Sequence, residues 1–110
     1  MAEYNTLTVI RQGDQYKIPM TVSNNGTIIT ASNADAMRIM LGRFMAVYPD
    51  GELEFDNSTD KWLFPLTQQM SFALKSGAVF AQAQYKIGDS IITTEKAEIT
   101  VEATNFPQEW

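Results

Sequence analysis

The stretch Val79 to Ile87 constrains the fold more than any other part of the chain. Val79, Ala81, Ala83, Tyr85 and Ile87 fall on one side, and Phe80, Gln82, Gln84 and Lys86 on the other. A period of two is the signature of a β-strand with one face in a core and the other toward water; a helix would repeat its apolar positions every three to four residues. A strand this long needs neighbours on both sides, so it is expected at the centre of a sheet.

Shorter runs with the same period supply those neighbours. Leu7 and Val9 alternate with Thr6, Thr8 and Ile10, and Tyr16, Ile18, Met20 and Val22 share a face after the Gly13-Asp14 turn. Pro19 interrupts that second run; it has no amide hydrogen for a ladder, so this strand lies at an edge, carries a bulge, or points the amide side of position 19 to solvent. Asn24-Asn25-Gly26 tolerates the positive φ angles of a tight hairpin and returns the chain through Thr27–Thr30. Met37, Ile39 and Leu41 oppose Ala36, Arg38 and Met40, and Gly42 breaks the run before Phe44–Tyr48. Pro49-Asp50-Gly51 reads as a hairpin turn, with Gly51 in a left-handed conformation, leading into Glu52–Phe55 with Leu53 and Phe55 inward. Asn57–Asp60 turns the chain into Lys61-Trp62-Leu63-Phe64. Gly88-Asp89 leads to Ser90–Thr94, and Ile99, Val101 and Ala103 alternate with Glu98, Thr100 and Glu102.

One segment departs from this period. Thr67 can cap a helix start, Gln68–Lys75 tolerate helix, and Gly77 stands where a left-handed stop belongs, predicting a short helical segment near 67–76. Met70 and Leu74 would share its buried face and plug one end of the fold. Strands at this spacing, joined by turns rather than crossover helices, predict an all-β protein: an immunoglobulin-like antiparallel β-sandwich of about seven to eight strands. Alternation stops at Thr104, so residues 1–104 form the expected sandwich domain and 105–110 a C-terminal tail or the start of a linker.

Composition narrows the chemistry. The 110 residues include no His and no Cys, which removes histidine-dependent triads, cysteine nucleophiles, the common zinc ligand sets and disulfides. Eight scattered cations against thirteen acids give a net charge of −5, opposite to the clustered positive charge that binds nucleic acid. The first ten residues lack the basic and apolar regions of a secretory signal, and no apolar run approaches the roughly 18 residues of a membrane helix. The expectation is a protein made in the cytoplasm, with no membrane or nucleic-acid partner.

The remaining candidates favour structure over catalysis. Glu52 and Glu54, or Glu98 and Glu102, offer paired carboxylates, but without a further catalytic group they read as solvated strand faces. Asp56-Asn57-Ser58-Thr59-Asp60 is rich in hard oxygens yet lacks the glycine and bidentate glutamate of a calcium loop, so it reads as a polar turn. No catalytic residue, metal ligand or cofactor is expected. The methionines are spread out and read mainly as core filling. Among the aromatics, Phe55, Trp62, Phe64 and Tyr85 occupy inward positions. Tyr4, Phe80, Phe106 and Trp110 do not, and they are the candidate partner-contact residues.

Several of these segments together resemble a known family. Gln12-Gly13-Asp14 before an alternating strand, Tyr48-Pro49-Asp50-Gly51, Trp62-Leu63-Phe64-Pro65-Leu66-Thr67, Gly77-Ala78-Val79 and a closing Ile99-Thr100-Val101 resemble the N-terminal domain of baseplate upper proteins from phages of Gram-positive bacteria. The resemblance spans roughly Leu7 to Glu102, while Asn24–Ala34 departs from the family pattern. It implies an immunoglobulin-like sandwich that fastens a protein to a tail, with no catalytic residues. The implied function is a non-catalytic virion module of tail or baseplate type, acting in assembly through contacts with other virion subunits and as a homo-oligomer in the particle. A carbohydrate-binding accessory domain, stacking exposed aromatic residues on sugars, is the alternative.

Overall fold

A computed structural model describes residues 9–110. Eleven strands and one helix follow one another: β1 (Val9–Arg11), β2 (Tyr16–Met20), β3 (Ser23–Asn24), β4 (Thr27–Ile28), β5 (Ala36–Leu41), β6 (Phe44–Tyr48), β7 (Glu54–Asp56), β8 (Lys61–Leu66), α1 (Gln68–Ala73), β9 (Gly77–Ile87), β10 (Ser90–Thr93) and β11 (Ala97–Glu102). The count exceeds the expected seven to eight because the β3–β4 hairpin and β10 are short additions. The large sheet runs β1-β11-β9-β5-β6 with β10 also on β9, and the small sheet runs β2-β8-β7. This is an immunoglobulin arrangement, in which β2, β8 and β7 take the places of strands B, E and D, and β6, β5, β9 and β11 those of C′, C, F and G. As the alternation demands, β9 is central, flanked by β5 on one side and by β10 and β11 on the other. One pair departs from the antiparallel rule: β1 runs parallel to β11, placing Ile10 opposite Val101.

One core lies between the sheets. The large sheet contributes Ile10, Met37, Ile39, Leu41, Ala81, Ala83, Tyr85, Ile99 and Val101, and the small sheet Ile18, Trp62, Phe64 and Leu66. Trp62 sits at its centre without exposed surface. Its ring meets Tyr48 edge-on at 5.1 Å and Phe55 at 4.8 Å between centroids. Its indole N–H donates to the Ile29 carbonyl at 2.9 Å. A buried indole needs such an acceptor, and the loop after the β3–β4 hairpin provides it.

Both prolines inside strands sit where a missing amide hydrogen costs nothing. Pro19 lies on the edge strand β2, as its sequence position requires. Pro65 lies on β8 beyond the reach of β7, whose last pairing is Glu54 with Leu63. The Asn25-Gly26 turn has positive φ at both residues, which is the expected hairpin geometry.

Several expectations need correction. Phe44–Tyr48 and the strand after Gly51 do not form a hairpin: β6 pairs with β5 in the large sheet, whereas β7 pairs with β8 in the small one. The Pro49-Asp50-Gly51 segment carries the chain between the layers, held by the Leu53 amide donating to the Val47 carbonyl at 3.0 Å. Gly51 is not left-handed. Its role is close approach, because a Cβ there would lie 2.8 Å from the Val47 carbonyl oxygen. Leu53 is buried as expected, while Phe55 is only partly buried against Trp62. Of the first run, Ile10 rather than Val9 points into the core, and Ile87 and Ala103 are exposed because each lies at or beyond the end of its strand.

The helix begins as predicted, with the Thr67 hydroxyl accepting from the Met70 amide at 3.1 Å. It ends earlier than expected, at an extended Leu74, and Gly77 with φ 116° opens β9 instead of stopping α1. Leu74 is buried and Met70 partly so. A polar knot ties α1 to the Gln12–Gln15 loop. The buried Ser71 hydroxyl accepts from the Gly13 amide at 2.9 Å and donates to the Asp14 carbonyl at 2.8 Å. Gln12 Nε2 donates to the Leu74 carbonyl, and Gln68 Nε2 to the Gly13 carbonyl. Gly13 has φ 98°, and a Cβ there would meet the Phe72 ring at 3.1 Å.

Candidate protein interface

The alternation that fills the core also determines what the large sheet shows to solvent. On β5, Arg38 and Met40 point away from buried Met37, Ile39 and Leu41; on β9, Phe80, Gln82 and Gln84 point away from Ala81, Ala83 and Tyr85. Register gathers them. Met40 lies between Met45 on β6 and Gln82 on β9, and Phe80 stands opposite Glu98 of β11. Met40, Met45 and Phe80 are 37%, 49% and 47% exposed and stand outside the core.

Polar groups frame this strip and are held in place. The Arg38 guanidinium donates to Gln84 Oε1, including at 2.8 Å through Nε, and Gln84 Nε2 donates to the Thr93 hydroxyl at 2.8 Å. Gln82 Nε2 donates to the Thr94 carbonyl at 2.8 Å. The Lys96 ammonium lies 6.0 Å from the Phe80 ring centroid, within cation–π range. Two shallow grooves result, one of about 310 Å³ beside Arg38, Met40 and Met45, the other of about 440 Å³ between Met40, Gly42, Phe80 and Lys96. Methionine suits such a surface because its unbranched, polarizable chain adapts to the contour of whatever covers it.

The three proposed contact residues that are described, Phe80, Phe106 and Trp110, do not form one site. Phe80 lies on the outer face of the large sheet. Phe106 and Trp110 are strongly exposed on the segment after β11. There the Trp110 amide donates to Gln68 Oε1 at 3.0 Å, holding the tail at the α1 end of the sandwich. Tyr4 lies outside the described residues. Sequence reading missed Met40 and Met45 because it assigned methionine to the core by default. The signal was present, since Met40 alternates with Met37, Ile39 and Leu41 and therefore had to point outward.

The carboxylates take local structural roles. Glu54 pairs with Lys17 at 2.8 Å and Glu102 with Arg11 at 3.0 Å, both on exposed surface. Asp56 organises the β7–β8 turn, accepting from the Ser58 hydroxyl at 2.7 Å, the Ser58 amide at 3.0 Å and the Thr59 hydroxyl at 2.9 Å. These bonds, the Ser58 hydroxyl first, hold its carboxyl below the usual range. Tyr16 is shifted upward, by burial first and then by the Asp14 carboxylate. Among the described residues no three acidic side chains converge in a way that could hold a metal ion, and no helix is long and apolar enough to cross a membrane.

Comparison of the chain with known protein families, with curated protein sequences and with solved structures finds no match.

Proposed function

We propose that this sandwich is a structural module of a phage particle, of tail or baseplate type, that acts in assembly by docking other virion subunits and performs no catalysis. The observation that carries the reading is the outer face of the large sheet. Met40, Met45 and Phe80 form an apolar strip on a rigid, hydrogen-bonded surface framed by Arg38, Gln82, Gln84 and Lys96. An apolar centre with a polar rim is how protein interfaces are built. The motifs that carry the family resemblance support the same reading.

The carbohydrate-binding alternative calls for several rings on one surface. Among the described residues Phe80 is the one aromatic side chain exposed on this face, with Phe106 and Trp110 on the tail, and the arrangement favours a protein partner. The test is a phage genome carrying Met40→Glu and Phe80→Glu. The proposal expects the chain in purified wild-type particles by mass spectrometry, and a drop in infectious particles with the variant although the isolated variant folds. Particles without the chain, or a variant of unchanged titre and particle content, would refute it.

A further inference from the structure

We propose that Asn25 is a site of covalent self-modification, losing its side-chain amide to water through attack by the Gly26 backbone nitrogen. An asparagine is labile where three conditions meet: its amide is unconfined, the next backbone nitrogen is unhindered and free of a hydrogen bond, and the local chain can move. Asn25 meets all three. With Gly26 it forms the exposed two-residue loop of the β3–β4 hairpin, at φ 53° and 82°. Gly26 has no side chain, and no heavy atom beyond its chain neighbours lies within 4 Å of where a Cβ would stand. Among the described residues neither the Gly26 amide nor the Asn25 side chain makes a hydrogen bond. The hairpin has two residue pairs, Ser23 with Ile28 and Asn24 with Thr27, and belongs to neither main sheet; so short a ladder opens readily.

The other described asparagines are held. Asn33 accepts from the Thr30 amide at 2.6 Å and donates to the Ile28 carbonyl at 3.3 Å, and Asn24 donates to the Tyr85 hydroxyl at 3.0 Å. Asn57 and Asn105 precede amides already engaged, since Ser58 donates to Asp56 at 3.0 Å and Phe106 to the Thr104 hydroxyl at 3.2 Å. Each of these four is also followed by a residue with a side chain, which crowds the attacking nitrogen as glycine does not. The fold therefore singles out Asn25.

The Gly26 nitrogen gives its proton to solvent base and bonds to Asn25 Cγ, while the Cγ–Nδ2 bond breaks and Nδ2 leaves as ammonia. The product is a five-membered cyclic imide, which water then opens. Cleavage of the Cγ–N bond leaves an aspartate at position 25; cleavage of the backbone C–N bond leaves an isoaspartate, with the chain continuing through Cγ. One water enters and one ammonia leaves, with no change of oxidation state. Either product adds a negative charge to a chain already at −5. Isoaspartate also inserts an extra backbone atom into a two-residue loop, shortly before Ile29, whose carbonyl holds the Trp62 indole.

The experiment incubates the folded full chain in warm, mildly alkaline buffer, with Asn25→Gln beside it, and reads each asparagine by peptide mass spectrometry. Loss of the amide adds about 1 Da, and isoaspartate is read separately by methyl transfer from an isoaspartyl methyltransferase. Position 25 should gain mass first and accept the methyl label, while Asn33, Asn57 and Asn105 remain amides. Asn25→Gln, whose cyclisation needs a less favourable six-membered ring, should show neither signal at that position. The ranking of asparagines is made within one wild-type chain, so it stands even where Asn25→Gln does not fold. A position 25 that stays an amide, or an Asn33 or Asn57 that converts as fast in the folded chain, would overturn the inference. A mass gain at position 25 without the methyl label would mean direct hydrolysis and would overturn the role of the Gly26 nitrogen.

Discussion

Replacing Trp62 with alanine tests the sandwich at its centre. The side chain is fully buried, packs on Tyr48 and Phe55, and donates its indole N–H to the Ile29 carbonyl at 2.9 Å. Removing a ring of this size from a core costs about 3–5 kcal/mol. The orphaned Ile29 carbonyl adds about 1–3 kcal/mol unless water reaches it. A domain of this size has a total stability of about 5–15 kcal/mol, so the variant should be marginal or unfolded at 25 °C. In urea, a loss of 4 kcal/mol with a slope of about 2 kcal/mol per molar moves the midpoint down by about 2 M. Trp62→Phe separates the contributions: it keeps much of the packing, loses the hydrogen bond, and should cost less than half as much. Equilibrium denaturation in a Trp110→Phe background isolates the Trp62 emission. A midpoint that moves by less than 0.5 M (about 1 kcal/mol), together with water-like native emission from Trp62, would refute the placement.

Three further outcomes follow from local geometry. Gly51→Ala forces a Cβ to 2.8 Å from the Val47 carbonyl oxygen and should cost about 1–3 kcal/mol; Gly26→Ala has open space but a φ of 82°, and should cost about 1–2 kcal/mol through backbone strain alone; thermal melts measure both. Asp56 has its folded pKa depressed by the Ser58 and Thr59 hydrogen bonds. Its contribution is therefore present above the unfolded carboxyl pKa and is lost as pH falls through the folded one, so Asp56→Asn should flatten the acid limb of the stability curve below about pH 4. Tyr16 has its pKa raised, so its contribution holds below the unfolded value and fades as pH rises through the folded one. Tyr16→Phe should remove that loss above about pH 10, measured by the urea midpoint against pH.

The parts of the fold that follow from period two were legible. The inward sets of β5, β9 and β11, the central place of β9, the edge position of Pro19 and the Asn25-Gly26 turn all depend on neighbours a few residues apart. What escaped depends on which layer a strand joins. Pro49-Asp50-Gly51 has the residue types of a hairpin, yet the same types carry the chain between sheets; only the tertiary pairing of β7 with β8 distinguishes the two. Gly51 was misread for the same reason, since close approach to the Val47 carbonyl cannot be inferred from a dipeptide. The knot of Ser71, Gln12, Gln68 and Gly13 was equally hidden, because its bonds join two segments more than fifty residues apart. The candidate interface was half visible. Phe80 stood out as an aromatic on a polar face, but grouping it with Met40 and Met45 required the β5–β6 and β5–β9 registers.

The central claim is that the outer face of the large sheet is covered by protein in the assembled particle, and hydroxyl-radical footprinting tests it most directly. Oxidation of Met40, Met45 and Phe80 is measured by mass spectrometry in the isolated chain and in purified particles, with the partly buried Met20 and Met70 as internal references. The account predicts ready oxidation of all three in the isolated chain and protection in the particle, with the references unchanged. Equal oxidation of Met40, Met45 and Phe80 in both states would contradict it.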